Sequence, residues 1–420
     1  MHGVSTEVGA TEGGRSWLLV TILCLSFGIV FFDRNSLNFL MPFVGKELRL
    51  DNVQIGLLSA VLSLTWAVSG FFVSVASDKA DSRKPLLIAA IICFSLCSVL
   101  SGFAVSFLTL IGARFLMGVA EGPILPLSQS LVASGVPAKS RGLAMGLVQS
   151  FGSNLLGSFV APIVLVAIAS ALGWRSAFWL SGVPGIVCAV LVWRFVEDHS
   201  QGRSKGADRK KLGLIEAFGY RNIAICSVLS TLIVGYLAIT YTFLPVYLTQ
   251  VAGYSAGQMS WLMSTLGLAA ATGAFVVPAI SDRVGRKPVM VVVPLMGCLL
   301  PLAALAAPPS AWTLAAFLFA GWMIIASLSL VMATIPSETV SPVYMATALA
   351  IVMGVGEICG GVGGPIVAGV VADVFGLAGA MWILVGLAAV SGLVALSLIE
   401  TAPFRTSTPL YTAVPCSVHE

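Results

Sequence analysis

Twelve long stretches without charge recur along this chain of 420 residues, and they leave few folds open to it. They begin near Trp17, Val53, Leu86, Phe107, Leu143, Trp174, Asn222, Gln258, Val289, Ala311, Met345 and Gly376. A helix needs roughly 20 apolar residues to cross the hydrocarbon core, where the backbone can satisfy its polar groups only internally. With 58% hydrophobic and 10% charged residues and a mean hydropathy of +1.00, the chain has too few charges to cover a water-facing surface. The first stretch is too long, and its tail too polar, to be a cleaved signal peptide with a small-residue cleavage site. The expected class is an all-α membrane protein with twelve transmembrane helices.

The basic residues set the expected orientation. Of 22 Lys and Arg, 17 fall on the side that holds the N-terminus, the even-numbered connections and the C-terminus. Lys46, Arg49 and Arg175 fall opposite, and Arg34 and Arg114 lie within spans. Positive charge is retained on the cytoplasmic side, so a multi-pass protein of the cell (inner) membrane with both termini cytoplasmic is expected. The net charge of +4 is absorbed by topology and lipid headgroups and implies no nucleic-acid partner. Eight scattered cysteines lack metal-ligand or redox spacing, and His2, His199 and His419 fall outside the spans. No metal site, histidine relay or nucleophile–base constellation is therefore expected, which argues against an enzyme. No G-x-x-x-x-G-K-[ST] occurs, so an ion gradient is expected in place of ATP.

The longest polar interruption, 197–221, contains HSQGRSKGADRKK and reads as a flexible basic linker on the cytoplasmic side. Residues 1–196 and 222–400 each hold six spans, and 401–420 form a tail. The halves echo one another. SDKADSRKP (77–85) returns as SDRVGRKP (281–288), and GSNLLGSFVAP (152–162) returns as VGEICGGVGGP (355–365). A duplicated six-span unit is the plan of transporters whose site lies between the repeats.

These two loop segments resemble the loop motif of the major facilitator superfamily, G-x-L-x-D-R-x-G-R-R/K. The second copy keeps it at Asp282, Arg283, Gly285, Arg286 and Lys287, while the first is looser, with Asp78, Lys79, Asp81, Arg83 and Lys84. The resemblance implies two pseudo-symmetric six-helix bundles, a monomer, and gating roles for Asp78, Arg83, Asp282, Arg283 and Arg286. In that family the loop clamps the outward-facing state.

Few charges lie inside spans: Asp33 and Arg34 in the first, Arg114 and Glu121 in the fourth, Glu357 in the eleventh. Such residues are costly in lipid and usually functional, whereas Glu338 and Asp373 are expected at the interface. Arg114 and Glu121 are seven residues apart, two helical turns on nearly one face. Arginine is the natural fork for a carboxylate. A buried glutamate balanced between desolvation and an arginine can load and release a proton. Packing alone is the other reading of this pair.

An acid–arginine pair in the first span with R-x-x-x-G-x-x-E in the fourth is similar to the anion:cation symporter branch of the superfamily, and also to its spinster-like branch. The first resemblance implies that Arg34 and Arg114 contact an organic anion while Asp33 and Glu121 couple protons, with sodium left open. Where sugar-acid members carry tyrosines, this chain has Phe31 and Trp66; a span 5 amide corresponds to Asn154, and the span 11 amide to Glu357. Fewer hydroxyls point to a less hydroxylated or aromatic carboxylate. Glu357 reads equally as a third titrating group, a repeller of a second carboxylate, or a buried acid in a glycine-rich crossing. Tyr236 and Tyr241 read as pocket donors or as ordinary lining. The expected function is proton symport of a small organic anion; proton-antiport efflux of drugs or lipid-like molecules is the alternative.

Overall fold

The structure, a computed structural model, describes residues 4–77, 82–197, 218–308, 310–341 and 344–404. Among these residues there is no strand, and twelve helical spans are long and apolar enough to cross a membrane. Spans 1 to 6 are Ser16–Leu48, Asn52–Val73, Lys84–Gly102, Phe107–Gly135, Lys139–Leu172 and Trp174–Phe195. Spans 7 to 12 are Arg221–Gln250, Ala256–Val284, Arg286–Ala306, Ala311–Thr339, Thr347–Phe375 and Leu377–Ala395. Asp78 and most of the 197–221 linker and 401–420 tail lie outside the described residues, as do His2, His199 and His419.

The chain forms two compact units: Met1–Leu50 with Leu64–Ser204, and Asp51–Ser63 with Lys205–Glu420. The core of the first is an apolar cluster that includes Leu23, Phe27, Ile91, Phe94, Leu127, Val148 and Val192, contributed by spans 1, 3, 4, 5 and 6. The second takes the start of span 2. There Asp373, in the last turns of span 11, accepts from the Asn52 backbone N–H (3.0 Å), the Asn52 side-chain amide (2.8 Å) and the Val53 N–H (3.2 Å). A carboxylate at a helix N-terminus satisfies donors that have no partner within the helix.

Three spans that carry charged residues are interrupted beside Asp33 and Arg34, Glu121 and Glu357. The helix of span 1 breaks at Asn35, directly after Asp33 and Arg34, and the Asn35 amide donates to the Gly157 carbonyl (3.1 Å). Span 4 breaks after Glu121 at Gly122–Pro123, where proline supplies no N–H to continue the ladder. Gly122 is required here by close approach, because a Cβ would collide with the Trp66 carbonyl and the Ser69 hydroxyl of span 2. Spans 5 and 11 widen into π-helix over Leu147–Phe151, Ser153–Val160 and Gly356–Val362, so Asn154 and Glu357 both lie on widened turns. The internal repeat thus extends to backbone detail. Gly173 and Gly376, ahead of spans 6 and 12, share a left-side conformation with φ of 87° and 77°, which an L side chain adopts at a cost. Of the span 11 glycines, Gly356, Gly360 and Gly364 allow close approach of neighbouring helices, whereas Gly354 and Gly363 have open space beside them.

Candidate functional site

Four ionisable side chains gather in the first unit, from two broken helices. Asp33, Arg114 and Glu121 are 0%, 1% and 0% exposed, and Arg34 is half-buried. Arg114 feels both carboxylates electrostatically, and Glu121 feels Arg34, Arg114 and Asp33. Even so, the charges do not close on one another. Among the described residues, Nη1 of Arg34, Nε and Nη2 of Arg114, Oδ2 of Asp33 and both carboxylate oxygens of Glu121 have no hydrogen-bond partner. Buried polar groups are nearly always bonded, so several orphaned in one place single this cluster out as the candidate site.

What holds each group is specific. Oδ1 of Asp33 accepts from Ser98 of span 3 and from Ser181 of span 6 (2.9 Å). Arg114 places its guanidinium 5.4 Å from the Phe178 ring centre and turns one nitrogen to the Met117 sulfur (3.2 Å). Arg34 lies 4.8 Å from the Trp66 ring and 5.7 Å from that of Phe31. A guanidinium held by its face keeps its N–H donors free in the plane. Nε1 of Trp66 is itself buried without a partner and adds a neutral donor. Phe31 and Trp66, the two aromatic departures noted in the sequence, are thus the shelf that carries Arg34.

Asn154 is half-buried on span 5, one turn from Gly157, whose carbonyl takes the Asn35 amide. Glu357 belongs to the second unit, half-buried, with Oε2 3.2 Å from where a Cβ would stand on Gly361. Tyr236, considered as a free pocket donor, is used structurally: its hydroxyl donates to the Gly297 carbonyl at 2.8 Å. Tyr241 stands edge-on to Trp322, 5.2 Å between ring centres.

Of the loop residues, Arg83 donates to the Ser130 hydroxyl. Arg286 is 7% exposed and binds Asp282 (2.5 Å) and both oxygens of Glu338 (2.8 and 3.2 Å), while Arg283 is exposed. Glu400 completes this knot, accepting from the backbone N–H groups of Arg286 (2.8 Å) and Lys287 (3.2 Å). Burial pushes the Glu400 carboxyl up, but donors from Ala402, Arg286, Lys287 and Thr401 outweigh it and hold the group below the usual carboxylate range. Ser98, Ser181, Glu338 and Glu400 were not among the expected site residues, and their partners lie 52 to 148 residues away. Only the acids among them carried a signal in the sequence, as charges in an apolar chain.

The family model of the Major Facilitator Superfamily matches residues 23–257 and 223–412. Similar proteins include a probable 4-methylmuconolactone transporter of Cupriavidus pinatubonensis, 30% identical over 62% of this chain and 61% of the relative. Another is the hexuronate transporter of Bacillus subtilis, 29% identical over 65% and 67%. The chain therefore spans about three fifths of the first of these relatives. A bacterial homolog of the human lysosomal transporter spinster, in an inward-facing and occupied conformation, has a TM-score of 0.77 with 21% identity, over 91% of this chain and 96% of that one. With both halves matched and the twelve-span fold shared, the chain belongs to the Major Facilitator Superfamily.

Proposed function

We propose that this protein carries a small organic anion across the cell membrane together with protons, by alternating access. The observation that carries this reading is Arg114, buried within electrostatic reach of two carboxylates and with two guanidinium nitrogens unbonded. A permanently charged fork in that position receives a carboxylate by two parallel hydrogen bonds. Arg34, on its aromatic shelf, supplies the second positive group.

Charge balance supports the coupling. Asp33, Glu121, Arg34 and Arg114 sum to zero. An anion entering this low-dielectric site leaves one uncompensated negative charge, which costs several kcal/mol. A proton on Asp33 or Glu121 restores neutrality and withdraws a competitor for Arg114. Loading both neutralises the site and permits reorientation; deprotonation on the cytoplasmic side returns Arg114 to its acids and expels the cargo. Sodium in the proton's place is the remaining alternative. The aromatic shelf favours a planar, sparsely hydroxylated carboxylate over a polyol acid, and the names of relatives, which include a benzoate transport protein as well as the 4-methylmuconolactone transporter, are compatible with that leaning.

The test is uptake of benzoate and of a hexuronate into proteoliposomes, acid outside, with and without the pH gradient. Accumulation driven by the gradient is expected. Arg114→Ala is expected to lower it about 30-fold or more, the cost of removing one partner of a buried charge pair. Full uptake by the variant overturns the anion-binding role, and expulsion of substrate under the same gradient replaces symport with efflux.

A further inference from the structure

Asp33 is not simply buried; one of its oxygens is tied into a cluster with a limited supply of protons. Ser98 and Ser181 both donate to Oδ1, and their hydroxyl oxygens are 2.7 Å apart. Both hydroxyls also reach the Phe178 carbonyl, at 3.3 and 2.9 Å. The two serines are 0% and 2% exposed, so bulk water does not make up the difference. Each hydroxyl has one proton to donate. With Asp33 ionised, both protons turn to the carboxylate, because charge-assisted hydrogen bonds are roughly twice as strong as neutral ones. The pair then has no proton left for its mutual contact or for the Phe178 carbonyl.

A proton on Asp33 adds the missing donor. The same oxygens then form one complete chain, from Asp33 to Ser98, from Ser98 to Ser181, and from Ser181 to the Phe178 carbonyl. Every link uses a contact already present. Only the hydroxyl protons rotate, and no heavy atom has to move.

We propose that Ser98 and Ser181 are positioning residues forming a hydroxyl switch, which sets how tightly Asp33 holds its proton and passes its state to span 6. This rests on the reading of Asp33 as a coupling acid. The receiving residue is suited to the task, since the ring of Phe178 is the surface on which Arg114 lies. Other charged and titratable groups also face Asp33: Arg114 and Glu121 from span 4, and Cys97 from span 3. Arg34 follows it on span 1, and span 6 presents the Ser181 hydroxyl and the Phe178 carbonyl. The charged groups act through distance whichever way the hydroxyls point, so the serines are separable from them.

The experiment is a pH titration of the purified protein in liposomes by infrared difference spectroscopy, read at the stretch of the protonated carboxyl. Asp33→Asn identifies the Asp33 band by its loss. Ser98→Ala and Ser181→Ala are each expected to move the midpoint of that band upward by about one pH unit, a tenfold change in proton affinity. The ionised form loses a charge-assisted donor, whereas the acid loses only a neutral partner. Ser98→Thr and Ser181→Thr keep the hydroxyl and are expected to leave the midpoint in place. Unchanged midpoints in both alanine variants, with the Asp33 band present, overturn the switch. If one alanine variant does not fold, the other decides alone. Failure of the parent reading is seen elsewhere: it falls if Asp33→Asn still accumulates benzoate under a pH gradient.

Discussion

Arg34 and Trp66 show how much a single side chain decides here. The indole carries the cation on its face while its own N–H stays buried and unbonded. Trp66→Phe keeps a ring under Arg34 and removes that donor along with one ring of the indole. It is expected to raise KM for a bound carboxylate about tenfold, the worth of one hydrogen bond to a charged group, and to leave the maximal rate of uptake nearly unchanged. Phe31→Tyr is expected to shift relative uptake from benzoate toward a hexuronate, measured by competition. At this scale the sequence was informative about charge and reticent about hydroxyls. Asp33, Arg34, Arg114 and Glu121 stood out because a charge in an apolar span is expensive. Ser98 and Ser181 did not, because a lone serine in a membrane helix ordinarily bonds its own backbone one turn back, as Ser26 does to Ile22 (2.8 Å).

Among the elements, the informative features are the interruptions. Span 4 stops at Glu121 because Pro123 cannot donate, and it can lie against span 2 because Gly122 has no side chain. Gly122→Ala is expected to cost about 1–3 kcal/mol as overpacking and to lower the melting temperature in detergent. Uptake is expected to fall further, since Glu121 is the neighbouring residue. The π-helical turns that carry Asn154 and Glu357 were not legible in the sequence, since periodicity reports helix without distinguishing its winding. Span 9 begins under a carboxylate cap from Glu400. Because that carboxyl titrates below its ordinary value of 4.5, its stabilisation is fully present above that pH and is lost as pH falls through the lower folded value. Glu400→Gln is therefore expected to melt earlier than the parent at neutral pH. The difference should close as pH falls through the folded value, which lies below 4.5, as read by thermal unfolding in detergent.

For the whole molecule, the zero sum of the four site charges makes a prediction about stoichiometry. A monocarboxylate with one proton crosses without net charge, so its uptake is expected to ignore a membrane potential imposed with potassium and valinomycin. A dicarboxylate moving with a single proton would respond to it. Span count, the duplication and the membrane class followed from the sequence alone, because a helix that crosses a bilayer must be long and apolar, and such stretches recur twelve times in two halves that echo one another. The acids and arginines within spans stood out in the sequence as well, by the expense of placing charge in lipid. Only the tertiary structure decided what those charges meet. It set Phe31 and Trp66 under Arg34, gave Asp33 its two serines, and joined Asp373 to Asn52 across 321 residues of chain. Hydropathy is a property of each segment and can be summed along the chain; a hydrogen bond or a stacked cation depends on which faces of distant helices turn toward each other, and helix packing alone settles that.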